Sequence, residues 1–380
     1  MRPLMPALYA CLLMAAAAPA LAAGETADND CDAADPGRSI PACTGIIDDH
    51  GASEQDRIRA YSRRAFAYER KKDYDQAIAD FTTVMGFGDS YRAAAIGNRG
   101  ADWYRKGDLD RALSDLDEAI RVNPVRFFTH HMRGLVLLRK RDLDGAAADL
   151  AEAIRLNPKD AVAYADTAMI WTAKGDPDHA IDDLTRAIEI HPTPTLDVDF
   201  RHVNFYVARG NIRVGKHDLD GAIADYDEAA KVDPRNPEAY ANRGLAFAAK
   251  GDHARAIADF DEAIRLAPDS KSAYYRRGHA WFDRYINAVG SPDRSDLDRA
   301  VADFTDVIRL DPADADAYYW RALARYSGGD REQAIADLTE ALALRPNDDQ
   351  FIEAQTRFKP EAPDPEAMTT DGLQHFRETH

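Results

Sequence analysis

Apolar residues recur along most of this chain at helical spacing, and the pattern is stopped and restarted every 34 residues. The stretch from Pro237 to Ser270 shows one complete unit. Tyr240, Gly244 and Phe247 stand at i, i+4 and i+7, which is one face of a helix. Lys250-Gly251-Asp252 ends that helix with a glycine and starts a second one with an aspartate at the N-cap. Ala256, Phe260, Ala263 and Ile264 mark one face of the second helix, and Pro268 closes it. The unit predicts a helical hairpin whose small residues, Gly244 and Ala256, lie where the two helices cross. Neither helix can bury its apolar stripe alone, whereas stacked copies can.

Eight copies follow in register, beginning at Ile58, Ala93, Phe127, Ala161, Val203, Pro237, Lys271 and Ala315, the last ending near Asp348. Alanine holds the crossing place in all eight: Ala77, Ala112, Ala146, Ala180, Ala222, Ala256, Ala300 and Ala334. Aspartate is expected to open every second helix, at Asp73, Asp108, Asp142, Asp176, Asp218, Asp252, Asp296 and Asp330. Proline closes seven copies, and Asp89 takes its place in the first. With this period, a Tyr–Gly–aromatic first helix, an Ala–aromatic–Ala second helix and a closing proline, the chain resembles the tetratricopeptide repeat (TPR) family over Ile58 to Asp348. The resemblance implies an all-α solenoid, a right-handed superhelix of helical hairpins. Its first helices would line a concave groove that binds peptides or proteins. It implies no particular ligand.

The repeats divide the chain. Residues 1–22 read as a secretory signal: Arg2, an apolar run from Leu8 to Ala18, and Ala20-Leu21-Ala22 as a small-x-small cleavage site. The run is too short to span a bilayer. Residues 23–57 form a leader and a half-repeat, because Asp35 to Ile47 aligns with Asp73 to Met85 and predicts a lone second helix capping the first hairpin. Copies one to four occupy 58–194. Eight extra residues, 195–202, separate them from copies five to eight at 203–348, and a bend is expected there. The seventh copy carries ten extra residues around Tyr285 to Asp293. In residues 349–380, Phe351, Ile352, Ala354 and Phe358 predict a short amphipathic cap, and the proline-containing stretch after Lys359 predicts a mobile tail.

Two charge patterns stand out. Arginine fills the seventh place in seven copies (Arg64, Arg99, Arg133, Arg209, Arg243, Arg277 and Arg321), and aspartate the twenty-third in all eight (Asp80, Asp115, Asp149, Asp183, Asp225, Asp259, Asp303 and Asp337). One matching acid per arginine favours a structural ladder over an anion-binding row. The fourth copy has Thr167 instead. The second pattern concerns the fifth, ninth, twelfth and thirteenth places, which share an arc beside the buried stripe. The TPR resemblance puts that arc on the concave side. Its N-terminal part offers Phe66, Tyr104 and His131 with Arg70, Arg105 and Arg139. Its C-terminal part offers Tyr275, His279, Phe282, Tyr319 and Tyr326. The first part predicts a positive row for an acidic segment, with helix-ending arginines that merely complement the helix dipole as an equal alternative. The second predicts aromatic contacts. The Lys and Asn set by which some family members hold a terminal carboxylate is not reproduced here.

The net charge of −18 argues against nucleic acid and anionic membranes as partners. Loss of the leader would remove Arg2 and make the chain more acidic still. Cys31 and Cys43, the two cysteines beyond the 1–22 signal, invite a disulfide in an exported chain, the alternative being a reduced, buried Cys43 with Cys31 free. The N-terminal element resembles that of exported repeat proteins of Gram-negative bacteria, which favours the periplasm. No metal, cofactor or catalytic constellation emerges. The histidines are scattered, Asp28, Asp30 and Asp32 lack the glycine and glutamate of a calcium loop, and no Gly-x-Ser-x-Gly or phosphate loop occurs. The sequence therefore predicts a non-catalytic protein-interaction scaffold of the cell envelope. An envelope-polysaccharide or export accessory module is the alternative. Partner identity and oligomeric state are open.

Overall fold

The computed structural model describes residues 30–191 and 201–359, with only the backbone of 201–204. Residues 1–29, most of the 195–202 segment and the tail after Lys359 lie outside the described residues. What is described contains eighteen α-helices and no strand. It falls into two compact units divided between Asp176 and Pro177. That division runs between the two helices of the fourth copy, ahead of the 195–202 insertion.

In the N-terminal unit, α1 (Pro36–Asp48) is the half-repeat cap, N-capped by Asp35. It packs on α2 (Glu54–Arg70), which pairs with α3 (Tyr74–Val84). The hairpins α4 (Asp89–Lys106) with α5 (Leu109–Val122) and α6 (Phe127–Arg139) with α7 (Leu143–Leu156) follow, then α8 (Ala161–Lys174). The C-terminal unit contains α9 (Pro177–Ile190), then the hairpins α10 (Arg201–Gly215) with α11 (Leu219–Val232) and α12 (Pro237–Ala249) with α13 (His253–Leu266). It ends with α14 (Lys271–Ile286), α15 (Arg294–Leu310), α16 (Ala315–Ser327), α17 (Arg331–Leu344) and the terminal cap α18 (Asp349–Phe358).

Three local rules produce the hairpins. The turn between first and second helix needs a left-handed residue. Gly107, Gly175, Gly251 and Gly329 supply it, but Lys72, Arg141 and His217 adopt it at φ near +60° despite their side chains. The next aspartate then caps the second helix, as Asp252 does by accepting from the Arg255 backbone N–H at 3.1 Å. Finally, the crossing alanines are fully buried, and a large residue of the second helix lies against the small place of the first. A Cβ on Gly244 would come within 2.8 Å of the Phe260 ring.

The structure departs from the expected pattern twice. First, α2 and α4 begin four residues before their copies, at Glu54 and Asp89. Ser53 caps α2 through the Asp56 N–H, and with no proline after copy one the chain passes through a 3-10 turn at Met85–Phe87 straight into α4. Second, Asp296 does not open the second helix of copy seven. The ten-residue insertion lets α15 start at Arg294, capped by Asp293, and Asp296 is instead buried beneath Arg284, which holds it with two hydrogen bonds of 2.8 and 2.5 Å.

Cys31 and Cys43 are joined by a disulfide. Both are buried with Ala60, so the bridge ties the leading segment to the α1–α2 seam. Ser39, also buried, donates to the Cys31 carbonyl at 2.8 Å. Among the described residues no helix is long and apolar enough to cross a membrane.

Candidate binding surface

The arginine–aspartate ladder is present, and every arginine in it is bidentate. Arg64 donates through Nε and Nη2 to both carboxylate oxygens of Asp80, at 2.9 and 2.8 Å. Arg99–Asp115, Arg133–Asp149, Arg209–Asp225, Arg243–Asp259, Arg277–Asp303 and Arg321–Asp337 repeat the geometry. The aspartates are buried and the arginines mostly so. Paired charges of this kind are acceptable inside a protein because each carboxylate keeps two charge-assisted hydrogen bonds.

A third contact was not anticipated from the sequence. The remaining Nη1 of each arginine reaches the preceding second helix, two residues past that helix's own ladder aspartate except in α1, where Ala42 holds the aspartate's place. Its acceptors are Thr44, Thr82, Asp117, Thr185, Asp227, Asp261 and Thr305 in turn. Each arginine thus joins its own hairpin to its neighbour. The signal was legible as a Thr or Asp recurring at the twenty-fifth place. Both halves fail together at one step, where Ala151 replaces the acceptor and Thr167 replaces the arginine. Thr167 turns inward and donates to the Ala163 carbonyl at 2.8 Å. Tyrosines at the fourth place lie beneath the guanidiniums, as Tyr240 does under Arg243 at 5.4 Å. His130 takes that place in copy three, where its ring nitrogens lie 3.2 Å from Asp149 and 2.8 Å from the Pro124 carbonyl.

On the first-helix face of the N-terminal unit, the predicted positive row is broken in the middle. Arg105 is an internal counterion. Its Nη1 donates to Asp102 at 2.8 Å and reaches Glu69 at 3.1 Å, and Asp102 is fully buried. Burial, then the neighbouring Glu69 charge, pushes the Asp102 carboxyl well above the usual carboxylate range. His131 is also internal, 1% exposed, with Nε2 donating to Asp166 at 2.6 Å and Nδ1 3.6 Å from Asp160. Burial works to lower its pKa, but the hydrogen bonds to the two aspartates outweigh it and hold the pKa at about 9. Arg70 and Arg139 do remain exposed. Arg70 donates to the Ala33 carbonyl at 3.2 Å. Arg139 lies over the Tyr104 ring at 5.2 Å and donates to the Tyr104 carbonyl at 3.4 Å. Phe66 is half-buried, edge-on to Phe81 at 5.4 Å.

In the C-terminal unit the aromatic arc is largely internal, which corrects the groove reading for three of its residues. Phe282 is 3% exposed, Tyr319 3% and Tyr326 4%. The fifth and twelfth places face whatever packs next along the stack. In copy eight that is α18, whose Phe351 stacks on Tyr319 at 4.9 Å and whose Phe358 stacks on Tyr326 at 3.8 Å. In copy seven it is α16, whose Trp320 meets Phe282 at 6.1 Å and His279 at 4.1 Å. Burial drives the His279 pKa down to about 4. Tyr275 is half-buried against His279, at 4.6 Å. The arc that lines the outside of an isolated helix is therefore the seam between first helices in the stack.

The tetratricopeptide repeat family profile matches residues 131–193, 207–284 and 293–349, together more than half of the chain. A second profile of the same description matches 58–86. No curated protein matches the chain. Solved structures resemble the chain at low identity. The C-terminal part of a TPR repeat-containing protein from Cytophaga hutchinsonii is 16% identical, with a TM-score of 0.56 over 68% of this chain and 98% of that one. A tetratricopeptide repeat protein from Parabacteroides merdae is 19% identical, with a TM-score of 0.48 over 70% and 98%. Pseudomonas aeruginosa pilF is 17% identical, with a TM-score of 0.47 over 61% and 97%.

Proposed function

Because the chain belongs to the tetratricopeptide repeat family, whose repeats are protein-interaction scaffolds, we propose that it is a non-catalytic adaptor of the cell envelope. It holds an extended acidic segment of a partner protein along the first-helix face of its N-terminal unit. The observation carrying this reading is the pair of exposed arginines, Arg70 and Arg139, on the first-helix face of a strongly acidic molecule, the second of them laid over Tyr104. Local positive charge against the overall sign steers an acidic partner to that face. The aromatic end of the predicted groove drops out of the reading, because Phe282, Tyr319 and Tyr326 are spent on packing. A polysaccharide ligand loses its stacking platform for the same reason.

Export to the periplasm belongs to the same proposal and is supported by the leader-like 1–22 and the bridged Cys31–Cys43 pair. Tagged protein that fractionates with the cytoplasm, leader intact, contradicts it. The binding reading is tested with acidic and neutral peptide libraries. Acidic peptides should bind more weakly as salt rises, and Arg70→Ala with Arg139→Ala should remove most of that salt dependence. Equal binding of neutral peptides by both proteins overturns it.

A further inference from the structure

Most arginines described in the N-terminal unit have a carboxylate or a carbonyl within reach, but Arg126 does not. It stands at the N-cap of α6 and makes no capping hydrogen bond. No described carboxylate pairs with it, its Nη1 is buried, and that atom has no hydrogen-bond partner among the described residues. Burial alone pushes its pKa down. It lies over the Phe128 ring at 5.3 Å. A cation withdrawn from water without an anion is costly.

A second polar group beside it is in the same condition. Thr129 is fully buried, and its hydroxyl has no partner among the described residues. The two converge on one spot. A side chain on Gly97 would meet Thr129 Oγ1 at 3.2 Å and Arg126 Nη1 at 3.5 Å, with Ala119 Cβ at 3.8 Å. Glycine at the fifth place of copy two therefore lets both unpartnered groups come close to the α4 backbone, where every other copy carries a side chain. In copies seven and eight that place is Tyr275 and Tyr319, and in copy three it is His131. The first backbone N–H groups of α6 add partial positive charge at the same end of the helix.

We infer that Arg126, Thr129 and the open N-terminus of α6 form an anion site beside Gly97 that takes a carboxylate side chain of a partner polypeptide. The site lies in the α4–α6 seam, at the end opposite Tyr104 and Arg139. A segment laid along that seam would meet Arg126 at one end and Arg139 at the other. The occupant's being a polypeptide rests on the adaptor reading above, but the site itself does not.

The test titrates the full chain, at low and fixed ionic strength, with a blocked, fluorescently labelled hexaglutamate peptide. Arg126→Gln should weaken binding at least tenfold. Thr129→Val, which keeps the shape and removes the hydroxyl, and Gly97→Ala, whose Cβ would crowd Thr129 Oγ1 and Arg126 Nη1, should each weaken it several-fold. Arg155→Gln, an equal loss of charge on an exposed helix face, should leave it near wild type. Arg126→Gln should also melt no lower than the parent, because it removes an unpaired, largely buried cation. If it fails to fold, the Thr129 and Gly97 variants still decide. The inference is overturned if hexaglutamate does not bind the parent, or if Arg126→Gln weakens it no more than Arg155→Gln. Loss of binding in the Arg70 and Arg139 variants alone would overturn this site and leave the adaptor reading standing. Loss in Arg126→Gln alone would do the reverse for the arginine pair.

Discussion

An arginine and an aspartate sixteen residues apart hold this chain together at two levels. Arg243 closes its own hairpin on Asp259 and reaches Asp227 of the preceding one at 2.6 Å. Replacing it with leucine leaves Asp259 buried and unpaired, which should cost about 3 kcal/mol of stability. Arg265, an exposed residue paired with Glu262 on its own helix, should cost far less when replaced. Urea denaturation of the two variants checks this, and equal losses contradict the pairing. A second residue-scale consequence concerns pH. The folded-state pKa of His131 is raised from 6.5 to about 9 by Asp160 and Asp166. Its contribution to stability is therefore complete below pH 6.5 and is lost as pH rises towards 9. Asp102 shifts upward too, so it acts in the same direction. The denaturation midpoint of the N-terminal unit should fall between pH 6.5 and 9, and His131→Gln should flatten that fall. An unchanged slope in the variant assigns it elsewhere.

At the scale of elements, the turn and the cap carry separable consequences. His217 sits in the left-handed region where other copies use glycine. His217→Gly should therefore stabilise the C-terminal unit by about 1 kcal/mol, whereas Gly251→Ala should destabilise it by a similar amount, both read from thermal melts. The terminal helix α18 covers the last repeat through Phe351 and Phe358. Phe358→Ala opens a cavity over Tyr326 and should cost about 3–4 kcal/mol. A loss under about 1 kcal/mol would mean that α18 is dispensable. Most elements were legible in the sequence because their causes are local. Most of the aspartate caps and the left-handed Gly251 follow from residues within one turn of the feature, α1 from its match to the second helix of copy one, and α18 from its own apolar stripe. The starts of α2 and α15 were not legible, because a capping residue outside the repeat pattern competes with the pattern itself, and α4 starts early because no proline closes copy one. Ser53 and Asp293 won that competition.

At the scale of the molecule, the repeat register and the Arg–Asp ladder could be read from one copy and multiplied, but the binding face could not. Helix geometry places Tyr319, Tyr326 and Phe282 on the arc beside the core stripe, and that arc is open only while the next first helix is ignored. Stacking fills it with Trp320, Phe351 and Phe358. Likewise Arg105 reads as one of three equal cations until Glu69 and Asp102, on two different helices, are seen to enclose it. Arg126 carries no sequence signal, because being unpartnered is not a pattern. What survives is a first-helix face in the N-terminal unit with few exposed cations. The central claim is that this face takes an acidic partner segment. Photo-crosslinking residues placed one at a time at Arg70 or Arg139, so that the other arginine remains, and on the outer face at Asp144 and Glu152, test it most directly in the cell that makes the protein and in its lysate at graded salt. The account expects adducts from 70 and 139 only, the captured peptide acidic and the yield falling as salt rises. Adducts from 144 and 152 with none from 70 and 139 would contradict it.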